Sequence, residues 1–235
     1  KNTVTTGTYA LRHMGLFGEL RNKFTIKNLT IEGVEIGVKE DPCTNATVVG
    51  VLVGDARNGV KISNCHVKGT AENPIKIIGQ KSTGVLVGWS GDNNTGVGTL
   101  IEDCSVSYAQ IDYVSGQIFT GFGGIVGFDN NYTMIENCDV DHLVINALGE
   151  TGGIVGGTGT AAATNSLISN CTVKDVVLTG VSSTEDGNNR IGGIVGRYQG
   201  TIDNVIAENV EIHGVSNVGG VVGSLESGRV TNSRT

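Results

Sequence analysis

One short stretch returns along the whole chain and limits what it can fold into. Gly-Gly-Ile-Val-Gly stands intact at 123–127, 152–156 and 192–196. Looser copies end at Gly18, Gly54, Gly88 and Gly223, so the last glycines fall at 18, 54, 88, 127, 156, 196 and 223. A unit that recurs every 27 to 40 residues cannot bury an apolar face alone and must stack on its own copies.

A second motif follows each copy. It reads Ile62-Ser63-Asn64-Cys65-His66-Val67 in one unit and Ile168-Ser169-Asn170-Cys171-Thr172-Val173 in another, with relatives beginning at Ile26, Ile101, Ile135 and Ile202. A third apolar alternation comes next, as in Val34 and Ile36, Val176 and Leu178, Val210 and Ile212. Each unit thus supplies three short stretches of period two, and none has helical spacing. The pattern predicts an all-β parallel β-helix or β-solenoid, with three short strands per coil and about six to seven coils. It forms one repeat domain over 1–235. At ~4.8 Å per coil the rod is about 30 Å long. The chain starts and stops inside coils, and solenoids need capped ends, so a segment of a longer polypeptide is expected.

Glycine, at 37 residues, exceeds twice its usual ~7% share, but without the period of three that collagen requires. A formal charge of -7 and a pI near 5.1 argue against nucleic acid or an anionic membrane as partner. No run of 18 apolar residues is present, so membrane insertion is not expected.

Within Ile-x-Asn-Cys-x-Val the apolar alternation changes parity across the Asn, which places a corner there. Asn tolerates the left-handed backbone a corner needs. Stacked, Asn28, Asn64, Asn137, Asn170 and Asn204 form an amide ladder, with Asp103 its one break. Cys65, Cys104, Cys138 and Cys171 share one repeat position, filled by Leu29 and Val205 in flanking units. A slot that takes Leu, Cys and Val reads as core, so the thiols are expected buried and free. A disulfide is the weaker alternative, and metal ligation weaker still. Cys43 has no stacked partner.

Both central positions of the glycine motif are apolar, whereas a strand has one inward face. The Leu/Ile row is placed inward because core slots favour bulk. The next row (Phe17, Val53, Val87, Val126, Val155, Val195, Val222) is then an outward apolar strip.

These motifs resemble the GLUG repeat, met literally as Gly15-Leu16-Phe17-Gly18. Such repeats occur in large bacterial surface and adhesin-like proteins and in the N-terminal part of immunoglobulin A1-specific metallopeptidases. The resemblance implies an extracellular, cell-surface module, adhesin-like or a spacer, with no cofactor and no catalytic residues to carry over. The peptidases' His-Glu-x-x-His is absent.

In such scaffolds chemistry sits on edge loops. Trp89 and Phe128 each directly follow a glycine motif and should stack. With Asp92, Asn94, Asn130 and Tyr132 nearby they are the candidate ligand site. Their rings would lie on sugar C–H groups and their amides on hydroxyls, unless the rings only cover their own loops. The Asp-Asn runs at 92–94 and 129–131 read as turns rather than Ca2+ loops, and no metal site is assigned. Glu102 and Glu136 fall in adjacent coils and are the nearest approach to a polysaccharide-acting enzyme's carboxylate pair. The expected partner is a host glycan or protein, or neighbouring copies of the chain itself.

Overall fold

The computed structural model describes residues 2–4, 13–37, 48–79, 81–92, 96–113, 121–159, 165–180 and 189–235. Among these the protein is all-β. Parallel strands form two curled sheets, one of nineteen strands and one of seven, around a common apolar core, a solenoid-like arrangement. Cys43 and Asn94 lie outside the described residues, as does most of the insertion at 37–47.

The register shows why the motif must repeat. Ile62 pairs with Ile26 on one side and Ile101 on the other, and the row continues through Ile135, Ile168 and Ile202. From Ile62 to Ile202 these side chains are at most 1% exposed. Burial of each stabilises the fold by roughly 1.5–3 kcal/mol. Each isoleucine is covered by its own counterpart in the strands on either side, so no single unit could stand alone.

The Asn corner is built as the alternation requires. Asn28, Asn64, Asp103, Asn137, Asn170, Asn204 and Asn232 all have φ between 50° and 59°. This region costs most residues roughly 1–2 kcal/mol but is tolerated by Asn and Asp. Asn64 Nδ2 donates to Asn28 Oδ1 at 2.8 Å, and Asn204 Nδ2 to Asn170 Oδ1 at 2.8 Å. Asp103 accepts from Asn137 Nδ2 at 3.1 Å, but its carboxylate has no N–H to give to Asn64, so the donation along the row stops at that step. A carboxylate fills an amide's accepting role but not its donating one.

A second left-handed corner lies further along each unit, at Tyr108, His142, Asp175 and Asn209, with φ from 50° to 53°. Here too neighbours bond, Asn209 Nδ2 donating to Asp175 Oδ1 at 2.9 Å.

Cys65, Cys104, Cys138 and Cys171 are buried and free. Each Sγ sits 3.1–3.4 Å from the carbonyl oxygen two residues earlier, so the thiols take a local acceptor rather than a partner sulfur. Contact with Cys104 and Cys171, then burial, hold the Cys138 thiol well above its ordinary pKa and keep it unreactive. Because all four are at most 1% exposed, a thiol reagent is expected to leave them unmodified in the folded protein and to label them on unfolding. Peptide mass spectrometry finding any of them modified under native conditions would contradict the arrangement.

At the glycine motif the structure corrects the expectation of an outward strip. Ile125 and Val126, Ile154 and Val155, and Ile194 and Val195 are all at most 1% exposed. One strand ends at Gly123 and the next begins at Val126, so the chain turns between them. Two-residue alternation does not apply across a corner, and both side chains reach the core. Partial exposure in this row appears only in the first and last copies, Phe17 at 37% and Val222 in part.

Candidate functional site

The row after the glycine motif runs Glu19, Asp55, Trp89, Phe128 and Gly157 through successive paired strands. Trp89 and Phe128 come together, with ring centroids 4.7 Å apart and 40° between planes. The Arg57 guanidinium carbon lies 5.2 Å from the Trp89 ring centroid. Trp89 thus has an aromatic neighbour from one strand and a cation from another. Its indole nitrogen is buried and makes no hydrogen bond among the described residues. A sugar ring would have to displace Phe128 or Arg57 to reach a Trp89 face.

The polar groups named beside it brace the loops. Asp92 is 3% exposed and its carboxylate accepts from Gly96 N at 2.6 Å. Asn130 Nδ2 donates to the Asp92 carbonyl at 3.0 Å, tying adjacent units together. Tyr132 turns with φ 57°, and its backbone N–H donates to Asn131 Oδ1 at 2.9 Å. Trp89 thus meets Phe128 and Asp92 meets Asn130, two contacts between the same adjacent units, while Tyr132 serves a turn.

Charged groups flank the aromatic pair. On one side the Asp55 carboxylate, fully buried, takes Arg57 Nε at 2.6 Å on one oxygen. Its other oxygen faces His13 Nε2 at 3.4 Å, and His13 Nδ1 lies 3.5 Å from Glu19. His13, Glu19 and Asp55 could together offer three ligand atoms to a cation, but Arg57 already balances Asp55. On the other side Glu150 meets Arg197 Nε at 3.0 Å and Arg190 at 3.2 Å, and the Arg197 guanidinium also donates to the Thr158 carbonyl. Burial pushes the Glu150 carboxyl up to about 7, against the pull of the two arginines.

The Asp-Asn run at 129–131 reads as a turn, whereas Asp129 itself ends the strand Val126–Asp129 and is 1% exposed. It pairs in register with Ser90 and Thr158. Its Oδ1 accepts from Thr133 Oγ1 at 2.6 Å and from Asn131 N at 3.0 Å, and Thr133 Oγ1 lies 2.8 Å from Ser90 Oγ. Burial pushes its carboxyl up to about 6. The available signal was register: Asp129 stands one residue after Phe128, as Ser90 stands after Trp89 and Ala56 after Asp55.

Glu102 and Glu136 do pair in register, but Lys61 Nζ holds Glu102 at 2.6 Å. At the second corner the Tyr108 and His142 rings stack with centroids 4.3 Å apart and 22° between planes. Asp141, His142 and Asp175 make a second cluster able to present ligand atoms, with His142 Nδ1 2.9 Å from Asp141 Oδ1. No helix among the described residues is long and apolar enough to cross a membrane. No protein-family model matches the chain, and no curated protein matches it in sequence.

Proposed function

We propose that this chain is a non-catalytic, extracellular β-solenoid module of the GLUG-like kind, with three short strands per coil and about six to seven coils. It acts as an adhesin-like or spacer segment on a cell surface and meets a glycan or protein through its edges. One observation carries the reading: the carboxylates best placed for chemistry are already engaged by cations of the protein itself. Asp55 is held by Arg57, Glu102 by Lys61, and Glu150 by Arg190 and Arg197. A general acid or base must be free to reach substrate, and these are committed to bracing the rod. Binding of the full chain to glycan and protein arrays, without turnover, is the expected result. Turnover of an acidic polysaccharide that disappears in Glu102→Gln would overturn it.

In this reading Trp89 and Phe128 hold the edge together. Trp89→Ala is expected to cost about 2–3 kcal/mol of stability. A urea titration reads this loss, and array binding should persist in the variant.

A further inference from the structure

The second left-handed corner is a row in which each side chain rests on the next. Tyr108 stacks on His142, and Asn209 bonds to Asp175. In the other direction the row loses its side chains. Ser107 pairs with Lys68 and Lys68 with Glu32, so the residues that follow them, Tyr108, Gly69 and Gly33, are neighbours in the stack. His142 covers one face of the Tyr108 ring. On the other side the row continues into Gly69, where a Cβ would run into Tyr108 O and meet Ile75 N and Pro74 Cα at 2.8 and 2.9 Å, and then into Gly33, where it would meet Asn73 Nδ2 at 3.6 Å.

A hollow of about 550 Å³ lies beside these residues. It is within the size range of small-molecule sites, roughly 300–1,000 Å³. Tyr108, Ser107, Glu32, Lys68 and Asn73 are among the residues that line it. The far wall is a braced turn. Thr70 and Asn73 exchange backbone hydrogen bonds at 3.1 and 3.2 Å, and Thr70 Oγ1 accepts a third from Asn73 N at 3.1 Å. The lining residues therefore include one aromatic ring, one carboxylate and two kinds of donor, with Glu32, Lys68, Ser107 and Tyr108 on paired strands and Asn73 on the turn.

The geometry points to this hollow as a saccharide-binding site. A pyranose ring lays its C–H face on Tyr108, while its hydroxyls bond to Glu32, Lys68 and Asn73. A purely apolar ligand would leave the charged walls unmatched, and a phosphate would meet Glu32. A neutral polyol with an apolar face satisfies both kinds of wall. The proposal rests on the reading of the chain as a surface binding module and gives that module a ligand class and a place. It differs from the aromatic pair at Trp89, whose faces are occupied.

A single pyranoside filling the hollow is expected to bind with Kd of about 1 mM. The test titrates methyl glycosides of glucose, galactose, mannose and N-acetylglucosamine into the full chain and follows NMR signals of the Tyr108 ring and the Asn73 side-chain amide. Two variants report on the site while leaving the corner intact. Gly33 has φ 62°, which Asn tolerates, and a Cβ there would sit 3.6 Å from Asn73 Nδ2, an ordinary contact. Gly33→Asn should fill the hollow and abolish the shifts with the melting temperature unchanged. Tyr108→Asn keeps a residue type found elsewhere in the row and should weaken binding at least about tenfold, a typical loss for a missing aromatic platform. Absence of shifts at Tyr108 with every glycoside overturns the site. Shifts that centre on Trp89 and Phe128 and survive Gly33→Asn also overturn it, while leaving the surface-module reading in place.

Discussion

Gly127→Ala is expected to destroy the folded state, and Gly18→Ala, the same change at the same motif position, to leave it standing. A Cβ on Gly127 would lie 2.5 Å from Thr83 N, 2.6 Å from Thr83 C and 2.7 Å from Gly88 O. All three are backbone atoms of strands paired on both sides, so no flexible side chain can swing away. Relief requires the strand at Ser82–Gly84 and the strand at Val126–Asp129 to move apart. That separation opens the core where Leu86, Ile125 and Val126 are buried. Overpacking that side chains can absorb costs roughly 1–3 kcal/mol. Here the backbone must absorb it, and the loss is expected to exceed about 4 kcal/mol, a large share of a typical total of 5–15 kcal/mol. At Gly18 the nearest described atom to such a Cβ is His13 O at 3.5 Å. Reduced freedom of the unfolded chain should then make Gly18→Ala neutral or stabilising by up to about 1 kcal/mol. Urea titrations followed by circular dichroism decide the matter. Equal midpoints for the two variants would show that the close approach at Gly127 does not constrain the fold.

That contrast also explains how far the sequence could be read. The Asn corner was legible because Ile62, Cys65 and Val67 change parity around Asn64, and the φ of 50° at Asn64 is what that change demands. The second corner left the same mark, since Val106, Ala109 and Ile111 also shift parity. Tyr108 and His142 hid it, because neither is a residue from which a left-handed turn is read. The glycine corner misled for the opposite reason. Ile125 and Val126 look like two adjacent positions of one strand, and only the close approach of backbones around Gly127 shows that a bend separates them. Among candidate site residues, stacking of Trp89 on Phe128 followed from spacing. Arg57 over Trp89 did not, because nothing local to either residue reports which long side chain will cross from the next strand. The hollow beside Tyr108 is illegible for a related reason: Gly33, Lys68 and Tyr108 line it from three different units, and only the register brings them together.

Asp129→Asn is expected to stabilise the protein near pH 8 and to change little near pH 4. The carboxyl ordinarily titrates near 3.8, and burial raises it to about 6 in the folded chain, although hydrogen bonds from hydroxyl groups oppose the rise. The folded state therefore holds this proton more tightly than the unfolded state does. Below about pH 4 the group is protonated in both states and the effect is fully favourable. As pH climbs through 6 the folded chain must ionise a carboxyl inside its core, and up to about 3 kcal/mol of stability is lost. Glu150, raised to about 7 by burial, adds a loss of the same sign at slightly higher pH. The wild-type protein should accordingly be more stable near pH 5 than near pH 8, against the usual direction of acid denaturation. An amide at position 129 cannot ionise, yet its oxygen can still accept from Thr133 Oγ1 and Asn131 N. Its nitrogen gains a candidate acceptor in Thr158 Oγ1, a buried atom with no hydrogen-bond partner in the strand paired with Asp129. The difference in unfolding free energy between variant and wild type isolates Asp129 from Glu150 and from every surface carboxylate. It should be near zero at pH 4 and rise to about 2 kcal/mol by pH 8. A difference independent of pH would mean that Asp129 stays ionised in the core at no cost, and a variant less stable than wild type at pH 8 would mean that the charge itself holds Ser90, Thr133 and Asn131 in place.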